Sequence, residues 1–184
     1  MGSILKRLWK LKRKLKCNIF AYDYSGYGMS SGSPSERNLY ADVRAAVYEL
    51  CSRKMLTPKD LVLFGESIGS VPTIYMATQI NPFGVILQSA FMSGIRIYFP
   101  YKGPTRLYDP FANIERVPLI KSKTLVIHGT KDMVVDINHA IAIYRELKNP
   151  VEPYWVDGGS HMDIPVQNNY YDRLCFFLNV ELNN

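Results

Sequence analysis

An α/β fold with a mainly parallel sheet is the expectation for this chain of 184 residues, and three observations carry it. Short apolar runs at residues 61–64, 84–88, 123–129 and 151–156 alternate with longer segments of helical periodicity. The first run leads through Gly65-Glu66-Ser67-Ile68-Gly69 straight into a helical segment, a strand–tight turn–helix unit. Hydrophobic residues make up 47% of the composition, enough for one sizeable core. Strands alternating with helices in a single domain give a parallel sheet flanked by helices.

Taken in order, Ile4, Leu8, Leu11 and Leu15 recur at helical spacing, with most basic residues on the opposite face. Residues 18–22 read as a strand that ends in the Gly/Ser-rich loop 23–33. Pro34 and Ser35 open a helix whose inner face is Leu39, Val43, Ala46, Val47 and Leu50. The run at 61–64 is followed by the glycine-flanked serine and a helix through Val71–Ala77. After the strand at 84–88, residues 92–120 contain Pro100, Pro104, Pro110 and Pro118 and read as an excursion over the sheet edge. The strand at 123–129 precedes a helix with Ile137, Ala140, Ile141, Tyr144 and Leu147 on its apolar face. The strand at 151–156 and a closing helix through Val166, Tyr170, Leu174 and Phe177 complete the chain.

Three residues beyond strand ends have the chemistry of a relay. A serine hydroxyl is a weak nucleophile near neutral pH and needs a base, and the base needs an acid to orient it. Ser67 follows the strand at 61–64, Asp132 follows 123–129, and His161 follows 151–156 on the turn Asp157-Gly158-Gly159-Ser160. Ligands bind open parallel sheets at these carboxyl ends. His128 ends an apolar strand and is expected to hydrogen-bond locally, whereas His139 is expected on the solvated face of the helix from Ile137. Asp136 is the alternative acid, but it precedes that helix and reads as its N-cap.

Composition narrows the function classes. The net charge of +6 is concentrated at the front, where residues 1–16 hold Lys6, Arg7, Lys10, Lys12, Arg13, Lys14 and Lys16 and no acid. A nucleic-acid-binding domain would spread its basic face more widely and carry groove-reading or stacking motifs. No stretch has the length of a membrane span. Cys17, Cys51 and Cys175 lack both the number of a disulfide framework and the spacing of metal ligands, so they read as buried free thiols in a reduced, cytoplasmic protein. Gly26-Tyr27-Gly28 has no third glycine for a dinucleotide, and no metal or cofactor motif is present. Lys6 stands where a myristoylation motif beginning Met1-Gly2 wants Ser or Thr. The front segment has two readings: a helix lying on anionic membrane with its apolar face down and Trp9 at the interface, or an ordinary surface helix.

From Cys17 to about Leu178 the chain resembles the α/β-hydrolases, and within them the ABHD-type protein depalmitoylases of the cytoplasmic membrane face. The stretches that carry the resemblance are Cys17-Asn18-Ile19-Phe20, Tyr22-Asp23-Tyr24-Ser25-Gly26-Tyr27-Gly28, Pro34-Ser35-Glu36 and Asn38-Leu39-Tyr40-Ala41-Asp42. Ser67-Ile68-Gly69, Met92-Ser93-Gly94, Val126-Ile127-His128-Gly129-Thr130 and Val151-Glu152-Pro153 add to it. The resemblance implies hydrolysis of S-palmitoyl cysteine on membrane proteins, with Ser67 as nucleophile, His161 as base, Asp132 as orienting acid and the Ile68 amide in the oxyanion hole. It implies no cofactor, and S-acylated proteins or acyl esters as substrates.

This sequence departs from the pattern in front of Cys17. Members of that family carry an upstream His-Gly-type loop after a third strand, which supplies the other oxyanion amide, and an N-terminal cysteine cluster. Residues 4–16 cannot be that strand, because a central parallel strand is buried on both faces and this segment is crowded with charge. The expectation is therefore a basic amphipathic helix over 1–16 and a partial α/β-hydrolase domain over 17–184 that lacks the first strands. Losing one oxyanion donor costs on the order of 10²–10³ in turnover. A catalytically impaired chain that binds membrane or lipidated proteins is accordingly an alternative, as is a lipase, esterase or serine aminopeptidase.

Overall fold

The computed structural model describes residues 4–101 and 103–183, so the Met1-Gly2 reading falls outside the described residues. Four strands form one sheet in the order β1 (Val62–Glu66), β2 (Gly84–Gln88), β3 (Lys123–Gly129) and β4 (Tyr154–Val156), every pair parallel. Alternation along the strands sends side chains to opposite faces, and both faces are covered. On one face Val85, Leu87 and Val126 pack against Ile74 and Ala77 of α3 (Ser70–Ile80) and Ala140 and Ile143 of α6 (Ile137–Glu146). On the other, Ile86, Leu125 and Ile127 meet Leu11 of α1 (Leu5–Leu15) and Tyr170 and Leu174 of α7 (Tyr170–Phe176). The expected α/β sandwich is therefore present.

Local chemistry sets the helix ends. Ser35 is the N-cap of α2 (Glu36–Lys54), its hydroxyl accepting from the Asn38 amide at 3.0 Å. Asp136 caps α6 by accepting from the Asn138 amide at 2.8 Å, as expected of it. α2 lies over α3 through Leu39 and Val71. The excursion 92–120 is more ordered than a plain loop. It holds α4 (Gly94–Tyr98) and α5 (Asn113–Arg116), and buried Asp109 fastens the start of α4 to the following loop by accepting from the Ser93 hydroxyl, the Ile95 amide and the Tyr101 hydroxyl at 2.7 Å each. Burial pushes the Asp109 carboxyl up, but those donors and the nearby Arg96 outweigh it and hold it below the usual carboxylate range.

Several expectations are corrected. Residues 18–22 form no strand, because among the described residues the sheet ends at β1 and no neighbour offers them a ladder. Val166 lies on an exposed 3-10 turn, and the closing helix starts only at Tyr170. The three cysteines are free but half-exposed rather than buried. His139 is buried, not solvated: His139 and Ile143 join the expected Ala140, Tyr144 and Leu147 on the inner face of α6.

Residues 5–15 are helical as expected, but their apolar stripe is not free. Leu8, Leu11 and Leu15 pack into the core shared with α7, so an apolar-face-down orientation on a membrane would require removing Leu11 from that core. What remains outward is the basic face, with Lys6, Lys10, Lys12, Arg13 and Lys14 exposed and Trp9 beside them.

Candidate active site

Ser67 follows β1 on a 3-10 turn, Ser67–Gly69, that runs directly into α3. Its φ of 49° lies in the left-handed region, which a non-glycine residue adopts only when its surroundings enforce it. Gly65 supplies the enforcement. A Cβ there would meet the Gly69 carbonyl oxygen and the Thr73 hydroxyl at 2.6 Å, so only glycine lets the turn close this tightly. Gly69 has more room, with the Tyr24 hydroxyl 3.4 Å from where its Cβ would sit.

The structure brings Ser67, His161 and Asp132 together from three strand ends. The Ser67 Oγ to His161 Nε2 distance is 3.0 Å, and His161 Nδ1 to Asp132 Oδ2 is 2.7 Å. A carboxylate only accepts, so Nδ1 carries the ring proton and Nε2 is left to accept from the serine hydroxyl. Asp132 is buried, and its Oδ1 accepts from the Val134 and Val135 amides at 2.9 Å each. These bonds leave Oδ2 for the imidazole.

The acid and base loops are joined to each other. The Thr130 amide donates to the Val156 carbonyl at 2.9 Å, Lys131 to Gly159 at 2.9 Å, and Gly158 to the Thr130 hydroxyl at 2.8 Å. Gly129 and Gly159 approach so closely that a Cβ on Gly129 would sit 2.3 Å from the Gly159 carbonyl oxygen. Beyond them, the Ser160 amide donates to Asp163 at 2.7 Å and shapes the turn that presents His161.

The other two histidines are kept out of the relay. His128 donates from Nε2 to the Val135 carbonyl at 2.8 Å, the local bond expected for it, and burial pushes its pKa down. Its Nε2 is also 3.4 Å from Asp132 Oδ2, so His128 flanks the acid, a role the sequence did not signal. His139 accepts from the Met92 amide at 3.1 Å, and burial lowers its pKa too. Asp136 is exposed and occupied with its cap.

A second network, not foreseen, braces the turn from below. Arg7 of α1 pairs with Glu66, the residue before Ser67. Gln88 Nε2 also donates to Glu66 at 3.0 Å, and the Tyr170 hydroxyl donates to Gln88 at 2.8 Å. Burial pushes the Tyr170 phenol up to about 12, so it stays a donor at any ordinary pH. The only trace in the sequence was one acid inside the serine pentapeptide and one arginine among the basic residues at the front. Ile68, the expected oxyanion donor, follows Ser67 directly and is exposed at the rim. Among the described residues no cluster of His, Cys, Asp and Glu could hold a metal ion.

Comparison with known proteins places this geometry in a family. Residues 34–164 match the sequence profile of the prolyl oligopeptidase family. Over all 184 residues the chain is 46% identical to the alpha/beta hydrolase domain-containing protein 17C of Xenopus tropicalis. It is 44% identical over 174 residues to the human alpha/beta hydrolase domain-containing protein 17B. It spans 59% and 60% of the lengths of these relatives. Among solved structures, a Pyrococcus furiosus esterase superposes with a TM-score of 0.76 at 20% identity, over 95% of this chain and 74% of that one. A Paleococcus ferrophilus monoacylglycerol lipase superposes at 0.70 and 15% identity, over 98% and 88%. With a matching profile over most of its length and the same fold as these enzymes, the chain belongs to the prolyl oligopeptidase family of α/β-hydrolases.

Proposed function

We propose that this chain is a serine hydrolase of acyl esters and thioesters, with S-acyl cysteine of membrane proteins as its substrate class. The observation that carries the reading is the continuous relay from Ser67 through His161 to buried Asp132 at 3.0 and 2.7 Å. As Ser67 Oγ bonds to the acyl carbon, His161 Nε2 takes the hydroxyl proton and Asp132 stabilises the resulting imidazolium. Collapse of the tetrahedral species breaks the C–S or C–O bond, and the leaving thiol or alcohol takes the proton from His161. Water then attacks the acyl-serine with His161 again as base, releasing the carboxylic acid. The Ile68 amide serves the oxyanion.

The thioester preference rests on the resemblance of the sequence motifs to the ABHD-type depalmitoylases; the 46% identity to the 17C relatives supports an α/β-hydrolase. The outward basic face of α1 supports a position at anionic membrane on the cytoplasmic side, each basic residue near such a surface contributing about 1 kcal/mol. Retention on phosphatidylserine liposomes at low salt, lost at high salt, is expected. No retention at either would remove the membrane part.

The hydrolase reading is tested with a fluorophosphonate probe on the purified chain, which is expected to label Ser67 and to fail on Ser67→Ala. Folded protein that resists labelling would sink it. A second reading, a binder of lipidated protein with impaired turnover, is favoured by the outer edge of β1 immediately before the nucleophile, which no strand among the described residues pairs. Ser67-dependent hydrolysis of a palmitoyl thioester would dismiss it. The family's name makes peptide bonds a further substrate class, separated by a panel of peptidyl amides beside acyl esters.

A further inference from the structure

A groove of about 660 Å³ opens beside the nucleophile, its near end formed by Ile68 and its walls by residues 22–28, the start of α2 and Phe111. That volume is of the size that holds a small-molecule ligand. Tyr24, Tyr27, Leu39, Ile68 and Phe111 give it apolar walls. Its polar groups are largely committed to one another. The Ser25 amide and hydroxyl donate to the two Asp42 oxygens at 2.8 and 2.7 Å, and the Asn38 side chain donates to the Ser33 carbonyl at 2.7 Å. A peptide laid here would find few free backbone partners, whereas a hydrocarbon chain asks for none.

The geometry points to this groove as the acyl-chain site: a linear alkyl chain attached to the carbonyl at Ser67 leaves past Ile68 and runs between Tyr24 and Leu39 toward Tyr27. The inference rests on Ser67 being the nucleophile and adds what the relay does not specify, the path of the acyl group and the residues that set its length. Continuity supports the assignment. Ile68 is bonded to Ser67 and lines the groove, so the groove begins one residue from the nucleophile. Tyr24 joins the two sites, its hydroxyl against Gly69 and its ring on the groove wall.

Two readouts keep this separate from the hydrolase reading. Binding is measured on the Ser67→Ala chain with 11-(dansylamino)undecanoic acid, whose fluorescence rises in apolar surroundings. Turnover is measured on the unaltered chain with p-nitrophenyl esters from acetate to octanoate. The probe is expected to bind, and kcat/KM to rise about fourfold for each added methylene. Asn38→Trp, which fills the groove from α2, is expected to weaken probe binding at least tenfold and to flatten the ester series. Tyr27→Asp, at an exposed wall position, gives the same readout should the tryptophan impair folding. Probe binding indifferent to both variants, or a flat ester series in the unaltered chain, overturns the acyl groove while the relay stands. Impaired hydrolysis of a peptidyl ester with an unchanged octanoate rate would also overturn it, by assigning the groove to peptide. Absence of all ester turnover with intact, groove-dependent probe binding would count against the hydrolase and leave the groove.

Discussion

The two edges of the sheet contribute to the site in different ways. At the β4 edge, acid and base loops are held by main-chain hydrogen bonds between residues 129–131 and 156–159 and by two glycines in mutual contact. At the β1 edge no strand among the described residues pairs with the outer side. Residues 18–24 carry no regular secondary structure and share with β1 and α2 the lining of a second groove of about 260 Å³, to which Phe20, Val47 and Leu63 contribute. The turn that carries Ser67 is braced there by side chains, Arg7 and Gln88 on Glu66. Main-chain bonds survive most substitutions, whereas a side-chain brace is lost with one. The imidazole and carboxylate are thus the robust half of the relay, and the serine is the half exposed to mutation.

Removing the charge from the robust half has the largest expected effect. Asp132→Asn keeps the shape but no longer requires the Nδ1–H tautomer of His161, and kcat is expected to fall about 10⁴-fold with folding unchanged by circular dichroism. An activity within tenfold of the parent would mean that the carboxylate does not orient the base. At the other edge, Gly65→Ala drives a methyl into the Gly69 carbonyl and the Thr73 hydroxyl, and a loss of roughly 1–3 kcal/mol in denaturant unfolding is expected. Turnover should drop about 10²-fold from displacement of Ser67. A stable, active alanine variant would show that the turn is looser than it looks.

Arg7→Ala sharpens the contrast more finely. The pair with Glu66 is only partly buried, so about 1 kcal/mol or less is at stake. The expected outcome is a fall of several-fold in kcat with little change in melting temperature, partly restored in Arg7→Lys. A melting-temperature loss with unchanged kcat would make Arg7 a packing residue for α1 alone.

The smallest effect concerns pH. His128 and His139 titrate lower in the folded chain than in the unfolded one because burial disfavours their charged forms. The unfolded chain therefore binds more protons as pH falls, and stability rises with pH across this window. Their contribution is whole above the ordinary imidazole value of about 6.5 and is lost as pH drops below it. Urea unfolding between pH 7.5 and 5 should show the decline, with a shallower slope in His139→Gln. An unchanged slope in that variant would assign the pH response to His128 and the carboxylates.

Much of this was legible in the sequence, for identifiable reasons. Four apolar runs alternating with helical segments give a parallel sheet because no other arrangement buries both strand faces. Ser67, Asp132 and His161 could be singled out because each follows a strand end. His139 was misplaced because the phase of a short helix is set by what it packs on: α6 turned an imidazole inward once the Met92 amide offered it a donor. Residues 18–22 were misread because their composition suits a strand, while a strand exists only where a neighbour completes the ladder.

What the sequence alone determined is local: the glycine-flanked turn that holds Ser67, the caps at Ser35 and Asp136, the apolar stripe of α1 and the identity of the relay residues. The tertiary structure decided the rest. It chose which face of α1 lies inward, joined Arg7 to Glu66 across 59 residues of chain, set His128 beside Asp132 and opened a groove next to Ile68. Backbone preferences and periodicity act over a few residues and can be read in one dimension. Contacts between side chains distant in sequence depend on the packing of several elements at once, and no single segment encodes them.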